Sequence, residues 1–412
     1  MKTEPKTNIG RGTLYLMAAN VIFLISGYVI HFGLGRYWTE GEYGTFGVIL
    51  SIMTSLNFLL TTGFPQSASK YIAEQDANVG SIIRQSRKFQ IAFSIIVFFL
   101  CLILAKPIAS VLNDNDFFGY VVVIAFVVPI YALFAIYCDG YLNGLKQFDK
   151  QAKTSMAASI TKVGAVFALV ILGLGANGAI IGYLCGALIG FIVAWKYLGS
   201  VDTNNSTEFD WGKLARFGIP ATLFSVMLFL LMNIDLFVVK SLSSDADTGY
   251  YASAATISKI PYYLFMGLAL VLLPSISQSY SSENSEVTTR SIKQAMRYML
   301  MLLIPVAFVV SATATDLVSL AYSSRYAEAG GSLAILIWGL VFLTVFVVLA
   351  YIIMGSGKPL VVFFMALPLV IIDVILNAVL IPDYGLEGAA LATTITGLLG
   401  VIMRKKERKE LT

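Results

Sequence analysis

Long apolar runs decide what this chain can become. A helix that crosses a bilayer needs about 20 consecutive apolar residues, and such runs follow one another from near residue 12 to near residue 403. The polar stretches between them are short. The longest are 66–88, 198–213 and 277–297. Charged residues make up 13% of the chain and hydrophobic residues 58%, against about 25% charged in a soluble globular protein. That supply of charge cannot cover a water-soluble body of 412 residues. The composition excludes a soluble enzyme, a disordered chain and a nucleic-acid-binding domain.

Twelve spans are expected, near 12–35, 42–65, 89–112, 118–143, 154–173, 177–197, 214–240, 248–276, 291–314, 332–354, 358–381 and 386–403. The start, Met1 to Arg11, is polar and basic, and the apolar run after it is too long for a signal-peptide core, so it reads as the first span. Basic residues orient the set. With the N-terminus inside, 22 of the 28 Lys and Arg fall on the cytoplasmic side. Only Arg36, Lys106, Lys240 and Arg325 fall outside, and Lys162 and Lys259 lie within spans. Both termini are therefore expected in the cytoplasm. The sequons at Asn204 and Asn205 are then on the inner side, where glycosylation is not expected. The tail MRKKERKE reads as a topology anchor at the inner leaflet. Cys101, Cys138 and Cys185 sit far apart in apolar runs as packing residues. With one histidine in the chain, no metal site is expected.

The two halves resemble each other. GFPQSASKYIAEQ, from residue 63, matches LLPSISQSYSSEN, pairing Pro65 with Pro274 and Tyr71 with Tyr280. RYWTEGEYGTFGVILSI matches KSLSSDADTGYYASAATI, pairing Gly44 with Gly249. LGANGAIIGYLCGALIG matches PDYGLEGAALATTITGLLG, pairing Gly178 with Gly388. Each half holds an even number of spans, so the copies are parallel, related by an axis along the membrane normal. The expected fold is an all-α polytopic membrane protein of two six-helix bundles with a cleft between them, the architecture of alternating access. The expected division is an N-terminal bundle 1–200, a cytoplasmic linker 201–213, a C-terminal bundle 214–403 and a basic tail 404–412.

Ionisable side chains within spans are costly and point to function. Lys162 lies about 13 Å from the inner end of its helix at 1.5 Å per residue, near the middle of the membrane. Asp373 is also central and stands at the repeat position equivalent to Lys162. Asp139 is nearer the inner face. Asp235 lies in the outer half of the seventh span, with His31 as its repeat equivalent. Lys240 matches Arg36 in the same way. Lys259 sits in the eighth span. His31, Arg36, Lys162, Lys240 and Lys259 are the candidate cavity residues for an anionic cargo. Asp139, Asp235 and Asp373 are candidates for a coupling proton or sodium ion, or for ion pairs. Each has an ordinary structural role to weigh beside this. Arg36 and Lys240 can snorkel to the outer interface, His31 can pack as a neutral residue, Asp139 can bond within the bundle, and Asp235 can pair with Lys259.

The opening RGTLYLMAANVIFLISGYVIHFGLGRYWTEGEYGTFGVILSIMTSLNFLLTTGFPQSASKYIAE resembles the start of the polysaccharide-biosynthesis, or O-antigen, flippase family, a branch of the multidrug/oligosaccharidyl-lipid/polysaccharide exporter superfamily. NIDLFVVKSLSSDADTGYYASAATISKIPYYLF resembles its seventh and eighth helices, and YLNGLKQFDKQAKTSMAASITK the segment joining its fourth and fifth. The likeness covers nearly the whole chain. It implies a plasma-membrane flippase, not an enzyme, that moves polyprenyl-diphosphate-linked oligosaccharides to the outer leaflet through a cationic cavity. It places Lys162, Asp235 and Lys259 among the cavity residues. The implied partners are that lipid-linked oligosaccharide, membrane lipids and glycan-assembly proteins, with no nucleic acid. Many members of the family have fourteen helices; twelve are read here, as in the drug exporters of the same superfamily. A cation-coupled multidrug exporter is therefore the alternative. A membrane glycosyltransferase or polymerase would need a larger outer loop than any seen here.

Overall fold

A computed structural model of the chain describes residues 9–74, 79–199, 211–281, 285–355 and 359–407. Among them there is no strand. The helices are α1 (Ile9–Tyr37), α2 (Glu40–Thr62), α3 (Phe64–Glu74), α4 (Val79–Val111), α5 (Asp116–Ala135), α6 (Phe148–Leu169), α7 (Gly175–Leu198), α8 (Trp211–Leu242), α9 (Asp245–Ser281), α10 (Ser285–Ala312), α11 (Ala314–Ala321), α12 (Ala329–Gly355) and α13 (Pro359–Glu407). By length and apolarity, eight stretches among the described residues can cross a bilayer, or nine if Met296–Ala312 and Ala314–Ala321, bent by 79°, count as one. That is fewer than the twelve expected. Two of the eight, Phe148–Leu198 and Leu360–Met403, run to 51 and 44 residues, far beyond the ~20 that one crossing requires. The basic tail beyond residue 407 and most of the linker 201–213 lie outside the described residues.

Both long stretches turn at a glycine. Gly175 has φ 52° and ψ −138°, and Gly385 has φ 56° and ψ −137°. This backbone region is open to glycine alone among common residues. It lets a helix end and a new one begin with no loop between them. The neighbouring small residues then pack alike. A Cβ on Gly178 would press on the backbone of Leu169, and one on Gly388 on the backbone of Leu380.

The helices fall into two compact units. The first comprises Met1–Phe32 and Ile52–Thr222, the second Gly33–Ser51 and Leu223–Thr412. The ends of α1 and α2 that meet at their turn thus pack with the C-terminal half. The expected N-terminal division, 1–200, keeps them with the first half.

In the first unit, α4 and α5 bury Val97, Cys101, Val121 and Val128 with Leu60 of α2. A second cluster joins Ala68 and Ile72 of α3, Ile82 and Ile83 of α4, and Ile136 and Tyr141. The last two belong to a π-helical turn, Ile136–Leu142, that continues α5. In the second unit α12 is the central helix. Its Ile337, Val341 and Leu349 pack on Met299 and Leu303 of α10. The three cysteines are free thiols.

Two helix starts in the second unit use the same device. Thr39 donates its main-chain N–H to Glu42 at 2.9 Å, and its hydroxyl accepts from the Glu42 N–H at 3.4 Å. Ser244 and Asp247 do the same at 3.2 and 3.1 Å. These reciprocal capping bonds satisfy otherwise orphaned donors. The two helices then meet at glycines. A Cβ on Gly44 would stand 2.6 Å from the Gly249 nitrogen, and a Cβ on Gly249 would overlap the Glu40 carbonyl.

Candidate functional site

Both units hold buried polar side chains within their apolar helices. In the first, α6 carries Lys162, which is 8% exposed. Its Nζ lies 4.7 Å from the ring centroid of Phe23 on α1 and 5.2 Å from that of Tyr183 on α7. The aromatic faces attract the ammonium, but no described carboxylate pairs with it. The site exists because α7 offers a glycine there: a Cβ on Gly186 would stand 2.8 Å from the Lys162 Cβ. A buried ammonium without a counter-charge is costly, so this position favours an incoming anion.

Asp139 stands apart from that lysine, in the π-helical turn. Such turns are frequent at functional positions because they rotate side chains out of the α-helical register. A directed chain of donors ends on it. Ser69 Oγ donates to Asn143 Oδ1 at 3.0 Å, Asn143 Nδ2 to Gln151 Oε1 at 3.2 Å, and Gln151 Nε2 to Asp139 Oδ1 at 3.2 Å. Asp139 thus bonds within the bundle. His31 lies half-buried on α1.

In the second unit the carboxylates gather. Asp235 on α8 accepts from Tyr251 Oη of α9 at 2.6 Å and from Thr393 Oγ1 of α13 at 3.1 Å, both on Oδ2. One turn further along α13, Thr396 Oγ1 donates to Asp373 Oδ1 at 3.1 Å. Asn377 donates to the Asp373 carbonyl at 2.8 Å and to its Oδ1 at 3.3 Å. Asp373 and Asn377 are wholly buried. Asp373 Oδ2 and Asn377 Oδ1 have no hydrogen-bond partner, and the two aspartates are electrostatic neighbours. Asp235, Asp373, Asn377, Thr393 and Thr396 thus bring carboxyl, amide and hydroxyl oxygens together, the oxygen types that hard cations take.

Arg36, Lys240 and Lys259 do not gather within this unit. Lys259 Nζ donates to Asn233 Oδ1 at 2.9 Å, not to Asp235. The same oxygen accepts from Ser51 at 3.4 Å. Lys240 is buried in an ion pair with Asp245 at the start of α9. Arg36 donates to main-chain carbonyls at the end of α11. Sequence reasoning missed Asn233, Asn377, Thr393 and Thr396, because uncharged polar residues in a span carry no alarm of their own. Among the described residues no group of three or more His, Cys, Asp and Glu could hold a metal. The oxygens around Asp235 and Asp373 fall outside that pattern because amide and hydroxyl oxygens are among them.

The family model described as polysaccharide biosynthesis protein matches residues 9–280, and the MatE model matches 220–379. The lipid II flippase MurJ of Bacillus subtilis is 24% identical, over 96% of this chain and 82% of its own. The probable low-salt glycan biosynthesis flippase Agl15 of Haloferax volcanii is 23% identical over 64% of this chain and 55% of its own. Among solved structures, the inward-facing form of a multidrug-resistance MATE transporter of the MOP superfamily superposes with a TM-score of 0.79 at 13% identity, over 97% of this chain and 98% of that one. With two thirds of its length matched by the family model, the chain belongs to the polysaccharide biosynthesis protein family, and it shares the fold of that MATE transporter throughout.

Proposed function

We propose that the protein moves a polyprenyl-diphosphate-linked oligosaccharide from the cytoplasmic to the outer leaflet of the plasma membrane by alternating access, with both termini cytoplasmic. Lys162 carries the reading. It is a buried ammonium held by two aromatic faces with no described carboxylate to neutralise it. A diphosphate supplies the missing charge, and aromatic rings beside it suit the adjoining sugar. The names of MurJ and Agl15 point the same way. The cradle of Asp235, Asp373, Asn377 and Thr393 takes a sodium ion that couples transport to its gradient. Its orphaned oxygens support this role.

The cation-coupled drug exporter is the second reading, favoured by the likeness to the MATE transporter. A cationic drug would meet Lys162 as a like charge, which weighs against it. The test uses the purified protein in vesicles with a fluorescent polyprenyl-diphosphate sugar on one leaflet. Outer-leaflet arrival is followed with a membrane-impermeant quencher. Wild type should equilibrate the probe, and Lys162→Ala should slow it while inserting normally. Equal rates for the two, or movement of a cationic dye in place of the lipid, would overturn the assignment.

A further inference from the structure

The turn between α1 and α2 and the segment after α11 hold each other by their carbonyl ends. Arg36, in the last turn of α1, donates from Nε to the Ala321 carbonyl at 2.9 Å and from Nη2 to the Leu320 carbonyl. Carbonyls at the end of a helix such as α11 have no intrahelical donor. Arg325 returns the contact. Its Nη2 donates to the carbonyls of Arg36 and Trp38, each at 3.3 Å, and its Nε faces Glu40 Oε1 at 3.5 Å. Each arginine therefore caps the helix end from which the other segment departs. A tyrosine cluster adjoins the pair. The hydroxyls of Tyr43 and Tyr322 bond at 2.8 Å. The Tyr326 ring lies 5.9 Å from Tyr43 and 5.2 Å from Tyr322, centre to centre.

Two features mark this as a catch and not a permanent join. Arg36 is exposed and Arg325 is 47% exposed, so water can replace the carbonyls at little cost. The Tyr326 hydroxyl, by contrast, is buried with no hydrogen-bond partner, a penalty that is relieved where separation of the segments admits water to it. The position matters as well. Residues Gly33–Ser51 belong to the second unit, while the rest of α1 and α2 belongs to the first. The distribution of basic residues assigns this end to the outer side.

We infer that Arg36 and Arg325 form a reversible clasp that fastens the α1–α2 turn to residues 320–326 in one state of the transport cycle, and that the Tyr326 hydroxyl biases it toward release. The clasp goes beyond the cargo assignment and is independent of which cargo is carried.

The test is a distance distribution between spin labels at Tyr37→Cys and Leu320→Cys, positions 62% and 73% exposed, with Cys101, Cys138 and Cys185 replaced by alanine. The labelled parent should show a dominant short distance. Arg36→Ala and Arg325→Ala should each raise the long-distance population at least threefold. Tyr326→Phe, which removes only the orphaned oxygen, should lower it by a similar factor. An unchanged distribution in both arginine variants would overturn the clasp. Should those variants fail to fold, Tyr326→Phe decides alone: an unchanged or larger long-distance population rejects the bias and the clasp with it.

Discussion

Sodium should stabilise the second unit, and Asp373→Asn should remove that response while raising stability in its absence. The magnitude follows from the oxygens. Asp373 Oδ2 and Asn377 Oδ1 are buried acceptors with no donor, each costing about 1–3 kcal/mol. A bound sodium ion satisfies both. At a concentration 100 times its dissociation constant, it adds about 2.7 kcal/mol to stability. For a unit of about 200 residues, each kcal/mol moves the melting temperature by about 2–4 °C, so a rise of roughly 5–11 °C is expected. Asp373→Asn removes the charge that binds the ion. Its amide also donates hydrogen bonds, one of which can serve Asn377 Oδ1. In sodium-free buffer it should therefore melt above wild type by the equivalent of about 1–3 kcal/mol. The assay is thermal unfolding in detergent, with sodium chloride titrated against choline chloride at constant ionic strength. A wild-type melting temperature indifferent to sodium would refute the cradle. So would a sodium response that survives in Asp373→Asn.

Three further outcomes are expected. Lys162→Ala should slow lipid translocation about tenfold to a hundredfold, the worth of one charge-assisted contact of about 1.5–3 kcal/mol, and this is read as the rate of quencher-accessible probe appearance. Gly249→Ala should destabilise by about 1–3 kcal/mol through overpacking, since its Cβ would strike the Glu40 backbone. Gly27→Ala, with nothing within 4 Å of the added carbon, should stabilise α1 by about 0.5–1 kcal/mol, and comparing the two melting temperatures checks both. Tyr251→Phe should destabilise by about 1–3 kcal/mol, because it strips a 2.6 Å donor from the buried Asp235, measurable by the same unfolding assay.

The membrane class and the positions of most helices were legible because apolar length is a local property of the chain. Asp235 and Asp373 were legible for a related reason: a charge in an apolar run stands out whatever its partner. Their surroundings were not. Thr393 lies 158 residues from Asp235, and a threonine in a span is ordinary until its acceptor is known. Asn233, two residues before that charge, takes the hydrogen bond of Lys259, while Asp235 acts on the same ammonium electrostatically. The π-helical turn at Ile136–Leu142 left no trace in a stretch read as one continuous span, because a single widened turn leaves the apolar run unbroken. Arg36 was read as a cavity or snorkelling residue, since main-chain carbonyls at a helix end have no side-chain signature to announce them.

The allegiance of Gly33–Ser51 bears on anyone who would cut this protein in two. Severing the chain in the linker after residue 200 looks like a clean bisection on paper. The C-terminal product would be born without nineteen residues that complete its own packing, and the N-terminal product would carry them as an unhoused projection. Co-expressed halves should therefore recover activity only by donating that hairpin across the break, whereas either piece made by itself should be a poor scaffold for binding studies.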